Sequence, residues 1–376
     1  MRARRWIGSL IIAISAASLA TAAFADIPAF NAAVKAGDYK KAAAEAKAIW
    51  ATWDKADRDT AVLAREFGFA SYVSGDYAAA QMFGQFLKDN GATLATPDDQ
   101  PATSRVLIAA ANFRLKSEDA TRKDLLDALK AREAAAGVDN VSVLAAEALY
   151  KADWAAGAWD KASESSGLAW RLLGRAGPGL SYRALDARAA FATSGFLSGP
   201  DKADYDNIAD AHDAVVAEIN AALNPQKRLS FAPMKYQLEA WAMSVGSYFH
   251  SGQQTGTNIP INVKQRDLAK LDAPMFPESV LTGDQCQKAD LQWPIARYPT
   301  GALYRNMVGS VVMKMDTDEA GRVTKWEVLA AVPARHFSKA VEDSVPNIYW
   351  KRTSADKPDC SLKATSRVAY FMFGRL

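Results

Sequence analysis

The chain has 376 residues, 49% of them apolar and 23% charged, with 45 Lys+Arg against 42 Asp+Glu. Arg2, Arg4 and Arg5 belong to an N-terminal leader, and without it 42 basic face 42 acidic side chains. Such a chain has no general field to draw nucleic acid or anionic lipid, so neither is expected as a partner, and about 350 residues suffice for two domains with separate cores.

The leader begins with the three arginines, continues uncharged over residues 7–23, and reaches Ala23-Phe24-Ala25 just before Asp26. This three-part layout predicts a secretory signal over 1–25 and a periplasmic location for the rest of the chain. Gly8, Ser9, Ser15, Ser18 and Thr21 dilute the apolar run below what a spanning helix prefers, so cleavage after Ala25 is expected. Membrane attachment is expected only if the signal is retained as an anchor.

Residues 26–250 are rich in Ala, Leu, Lys, Glu and Arg, with apolar residues three and four apart, which predicts helices throughout. One phrase recurs: Ala36-Gly37-Asp38-Tyr39, then Ser74-Gly75-Asp76-Tyr77, then Ala156-Gly157-Ala158-Trp159, with weaker echoes at Ser117 and Gly199. The spacing of about forty is that of a helix-turn-helix repeat. Glycine permits the left-handed residue that ends one helix, the Asp caps the next, and the aromatic packs back across the turn. The phrase resembles the tetratricopeptide repeat, whose concave surface implies a protein or peptide partner. Trp50, Trp53, Trp154, Trp159, Trp170 and Trp241 read as packing residues rather than a ligand-stacking set.

Residues 251–280, with Ser-Gly-Gln-Gln-Thr-Gly-Thr-Asn before Pro260, Pro274 and Pro277, read as a linker. Beyond it, over 281–376, the pattern alternates. Residues 309–315 predict a strand, 316–321 a turn and 322–329 a second strand with Thr324, Trp326 and Val328 on one face. Phe337, Ala340, Val341, Val345 and Ile348 form one helical stripe, interrupted by Pro346, and residues 366–373 form a last strand. The fold class expected is therefore α+β: an all-α helix-hairpin repeat array, then a small β-β-α-β domain with an antiparallel sheet.

The ordered series Tyr298-Pro299, Ala302, Gly309-Ser-Val-Val, Asp-x-x-Gly-Arg-Val ending at Val323, Phe337-x-x-Ala340 and the terminal apolar strand resembles the C-terminal domain of the TonB energy-transducer family over about residues 290–376. The resemblance implies strand addition: an extended peptide, from an envelope protein such as an outer-membrane transporter, adds to the edge of the sheet. It places partner binding at Tyr298, Pro299, Arg367, Ala369, Phe371 and Phe373. The chain departs from the family in carrying Pro346-Asn-Ile348-Tyr-Trp350-Lys after the helix, and a helical array where TonB has a proline-rich rod. Val368, Tyr370 and Met372 on one face of the last strand, with Ala369, Phe371 and Phe373 on the other, predict that both faces are covered.

Cys286 and Cys360, an even pair in a chain read as exported, are expected to form a structural disulfide rather than a redox pair, worth roughly 4 kcal/mol on the chain-entropy model. His212, His250 and His336 lie far apart, without ligand-spaced partners, and read as surface or capping residues, so no metal, cofactor or catalytic residue is assigned. Asp316, Asp318, Gly321 and Glu327 match four positions of a calcium loop, but Ala320 stands at a fifth and strands flank it, so a hairpin turn is expected. The function these features lead to is a non-enzymatic periplasmic interaction protein with no small-molecule substrate. A membrane-anchored energy transducer and a scaffold without peptide binding are the alternatives.

Overall fold

The computed structural model describes residues 27–57, 59–90, 100–134, 138–251, 289–292, 298–303, 307–333, 337–352 and 365–373. The expected signal over 1–25, the linker over 251–280 beyond Ser251, His336 and both cysteines lie outside the described residues. The fold is α+β, a helix-hairpin array before a small antiparallel β domain. Contacts divide the chain into two compact units, 1–187 and 188–376.

The first unit holds α1 (Ile27–Lys35), α2 (Tyr39–Thr52), α3 (Thr60–Ser74), α4 (Tyr77–Asn90), α5 (Gln100–Leu115), α6 (Asp119–Ala134), α7 (Asn140–Ala155) and α8 (Trp159–Arg175); α9 (Ser181–Ser198) spans the division. Each helix from α1 to α8 packs on the next. The recurring phrase marks three of the turns. Gly37, Gly75 and Gly157 have φ of 71°, 90° and 66°, a left-handed conformation that side chains with a Cβ resist. At each, the glycine N–H donates to the carbonyl three residues back and the next N–H to the carbonyl five back: Gly37 to Val34 and Asp38 to Ala33, both at 2.9 Å, with Gly75/Asp76 and Gly157/Ala158 repeating the pattern. This pair of bonds satisfies carbonyls that a helix end leaves orphaned.

The capping carboxylates stand as expected, Asp38 Oδ1 accepting from Lys41 N at 3.1 Å and Asp76 Oδ1 from Ala79 N at 3.2 Å. Tyr77 and Trp159 pack back on Tyr72 and Trp154, whereas Tyr39 reaches forward to Phe69 in the next hairpin. Trp50 meets Phe67, Phe83 and Phe86 edge-on, and the Trp53 indole donates to Thr60 at 2.9 Å, so both serve packing. A ladder of polar pairs repeats at one hairpin's length. Tyr77–Arg114, Thr103–Asp139, Arg122–Asp153, Lys130–Glu164, Glu133–Arg171 and Tyr150–Asp186 join residues 31 to 38 apart.

The second unit contains α10 (Lys202–Ala221), α11 (Pro225–Ser251), β1 (Ala289–Gln292), α12 (Thr300–Leu303), β2 (Gly309–Thr317), β3 (Val323–Val332), α13 (Ser338–Glu342), β4 (Tyr349–Arg352) and β5 (Thr365–Phe373). The three-stranded antiparallel sheet has the order β3-β2-β5, and β1 pairs antiparallel with β4 in a separate ribbon. β4 carries the Tyr349-Trp350 pair that follows Pro346 in the sequence. The β2–β3 turn is closed by Asp318, whose carboxylate accepts from the backbone N–H groups of Ala320 and Arg322, with Gly321 at φ 77°. It is a hairpin turn of the ordinary Asp/Gly kind.

Val311, Met313, Met315, Phe371 and Phe373 face Phe337, Val341, Val345 and Ile348 in one core. Pro346 does not disrupt that stripe, because α13 stops at Glu342 and a 3-10 turn over Val345–Asn347 carries the last apolar residues inward. The face expected for β3 is modified by two register shifts, opposite Val312/Met313 and Asp316/Thr317. Thr324 falls at the second, its hydroxyl donating to Asp316 O, and Trp326, opposite Met315, remains 45% exposed. Among the described residues no helix is long and apolar enough to cross a membrane.

Candidate functional site: the β5 edge and its support

β5 pairs with β2 over all nine of its residues, Gly309 opposite Phe373 through Thr317 opposite Thr365, without a register shift. The β2–β3 ladder has two shifts. Among the described residues no strand pairs with the other side of β5, so the outward-facing main-chain donors and acceptors of a straight nine-residue strand, those of alternate residues, lie at the rim of the sheet. Bulges and charges blunt a strand's capacity to accept another strand. On that criterion β3, with its irregular register and exposed Lys325 and Glu327, is the poor edge, and β5 is the good one.

The six residues singled out from the sequence divide into rim and support. Arg367, Ala369, Phe371 and Phe373 occupy alternate register positions of β5, opposite Met315, Met313, Val311 and Gly309. Phe371 and Phe373 are buried, so their side chains belong to the core, and in the register they stand opposite Val311 and Gly309 of β2. Tyr298 is half-buried beside them, its ring edge-on to Phe337 at 5.5 Å and to Phe373 at 5.9 Å. Its hydroxyl donates to the Met307 carbonyl. Pro299 leads into α12, its carbonyl accepting from Ala302 N at 2.9 Å. Tyr298 thus braces the end of β5 where it meets Gly309, and Pro299 is tied to α12 instead.

The opposite face of the sheet is covered by α11, which packs on β2, β3 and β5. Within α11, Met234, Lys235, Tyr236, Leu238, Glu239, Ala240, Ala242, Ser244 and Val245 are all buried, so the helix is enclosed on several sides rather than lying amphipathically on a surface. β2 accordingly is buried on both faces, with Val311, Met313 and Met315 toward α13 and Ser310 and Val312 toward α11. Ser310 is the fully buried polar residue of that face, which Lys314 and Asp316 continue toward the half-buried end of the strand. Its hydroxyl donates to Ala240 O at 2.5 Å and lies 3.0 Å from Ser244 Oγ, which removes the cost of burying it.

A second feature was not foreseen from the sequence. His212 of α10, expected at the surface or as a cap, is 1% exposed, and its Nε2 lies 3.2 Å from Glu239 Oε1. Lys235 Nζ meets the same oxygen at 2.7 Å from one turn away on α11. Burial pushes the Glu239 carboxyl up, but the His212 hydrogen bond and the Lys235 ammonium outweigh it and hold it below the usual range. The cluster pins α10 to α11. No signal short of the i,i+4 spacing of Lys235 and Glu239 in an otherwise apolar stretch could have revealed it. Among the described residues no group of three His, Cys, Asp or Glu is arranged to hold a metal. No protein-family model matches the chain, and no curated protein matches it either.

Proposed function

We propose that this protein is a periplasmic interaction protein of the cell envelope whose C-terminal domain, TonB-like in its order of elements, takes up an extended peptide by strand addition along β5. The supporting observation is the rim itself: nine residues of unshifted antiparallel ladder, apolar packing behind it, and no strand beyond it among the described residues. Strand addition takes affinity from main-chain hydrogen bonds and specificity from alternate side chains. The rim therefore needs no catalytic group, and the buried position of Phe371 and Phe373 is what such a mode calls for.

The test is titration of the isotope-labelled protein with peptides from the periplasmic segments of outer-membrane transporters. The expected result is saturable binding, with the amide resonances of 365–373 moving and those of β3 much less. Absence of saturable binding across a panel of such peptides would leave the domain a scaffold. Mass measurement of the mature N-terminus separates a released protein, beginning at Asp26, from an anchored one.

A further inference from the structure

One helix touches elements of the second unit that the sequence pattern divides between two domains. α11 packs along α10 and against β2, β3 and β5. Its contacts are of two specific kinds, placed in succession. Lys235 and Glu239, with His212, form the buried ion cluster toward α10, and within the next turn and a half Ala240 O and Ser244 Oγ meet Ser310 on β2. Ala240 comes directly after Glu239, so the two attachments share consecutive backbone.

A helix cannot shift by one turn at one of these attachments and keep the other, since both are built from buried groups that need their partners. An uncompensated buried charge or hydroxyl is costly, and close-packed interiors respond by switching between discrete arrangements rather than by gradual deformation. We infer that α10, α11 and the β3-β2-β5 sheet form one cooperative unit in which α11 is a shared strut, so that loosening the α10–α11 contact is transmitted to the sheet and the reverse. This coupling holds whether or not a peptide adds to β5. It gives α10 and α11 a role in the β domain beyond that of a last hairpin of the array.

Amide hydrogen exchange on the full-length chain tests this, because residues that open together exchange with a common opening equilibrium. Two mild variants perturb the strut from opposite ends. Ile208→Val removes one buried methyl from α10, where Ile208 is fully enclosed. Ser310→Ala removes the hydroxyl that ties β2 to α11. Each is expected to speed exchange by about fivefold in α10, α11, β2 and β5 alike, while the amides of α3–α8 stay at their wild-type rates. The proposal is overturned if Ile208→Val accelerates α10 and leaves β2 unmoved, or if Ser310→Ala accelerates β2 and leaves α10 unmoved. Should one variant fail to fold, the other alone decides, since each is read at the far end of the strut.

Discussion

Gly309 is the residue at which the β domain tolerates least. A Cβ there would stand 2.1 Å from Phe337 Cε2 and 2.6 Å from the Val332 carbonyl oxygen, and the second of these is backbone that cannot rotate away. Gly309→Ala is expected to destabilise the domain by about 3 kcal/mol, read from denaturant unfolding monitored in the sheet. A different sensitivity, to acid, belongs to Glu239. Its folded carboxyl is held below the ordinary value of 4.5, so its contribution is complete above that value and is lost as pH falls through the folded one. Thermal melts of the wild type should therefore drop below about pH 4.5. Glu239→Gln should be less stable than wild type at pH 7, by about 3 kcal/mol, since the buried Lys235 ammonium loses the Glu239 charge beside it, and the gap should narrow in acid.

At the scale of elements, the turns carry the most legible information. Gly75 has φ 90° and open space where a Cβ would stand, so Gly75→Ala meets only the backbone penalty of the left-handed region. A loss of about 1 kcal/mol is expected, visible as a lowered melting temperature of the first unit. The Gly-Asp-aromatic phrase could be read because its chemistry is local: glycine and cap act within five residues, as do the aromatics Tyr77 and Trp159, and only Tyr39 packs elsewhere, on Phe69. The β2–β3 hairpin was legible for the same reason, through Asp318 and Gly321.

The features that escaped the sequence depend on residues far apart. β1 and β4 are four residues each and pair across 57 to 63 positions, Gln292 with Tyr349 and Ala289 with Arg352, too short to show a period of their own. α11 carries apolar, polar and charged residues on all sides, so its stripe is weak and its partner, the sheet, could not be deduced from it. The last strand was more informative. Its two apolar faces call for cover on both; Phe371 and Phe373 lie in the core with α13, and α11 packs against the strand. The candidate site was legible as a strand, while the division of its residues into rim and buried support needed the register.

For the molecule as a whole, that double cover makes a prediction about dissection. A fragment of 281–376 lacks α11 and bares Val312 and Ser310 on the strip that α11 covers, along with the facing part of β3. It is expected to self-associate, whereas a fragment of 188–376, the whole second unit, remains monodisperse, the two being distinguished by light scattering during size-exclusion chromatography. A monomeric, well-behaved 281–376 would show that the helix is an accessory to the sheet. The array is expected to behave differently. Its polar ladder links each hairpin to the next, so unfolding should spread from one hairpin to its neighbours, and its denaturation should broaden when a central rung such as Arg122–Asp153 is removed.

The hydroxyl of Ser310 has one more effect, on alignment. An apolar strip would let a helix slide along it with little change in energy, as one oiled surface slides on another. The buried Ser310 hydroxyl, with its acceptor at Ala240, favours one placement of α11 along β2, and moving the helix off that placement forfeits the bond at about 1–3 kcal/mol. Ser310 thus acts as an index pin: it selects where the helix comes to rest, and through it the height at which the whole sheet is presented.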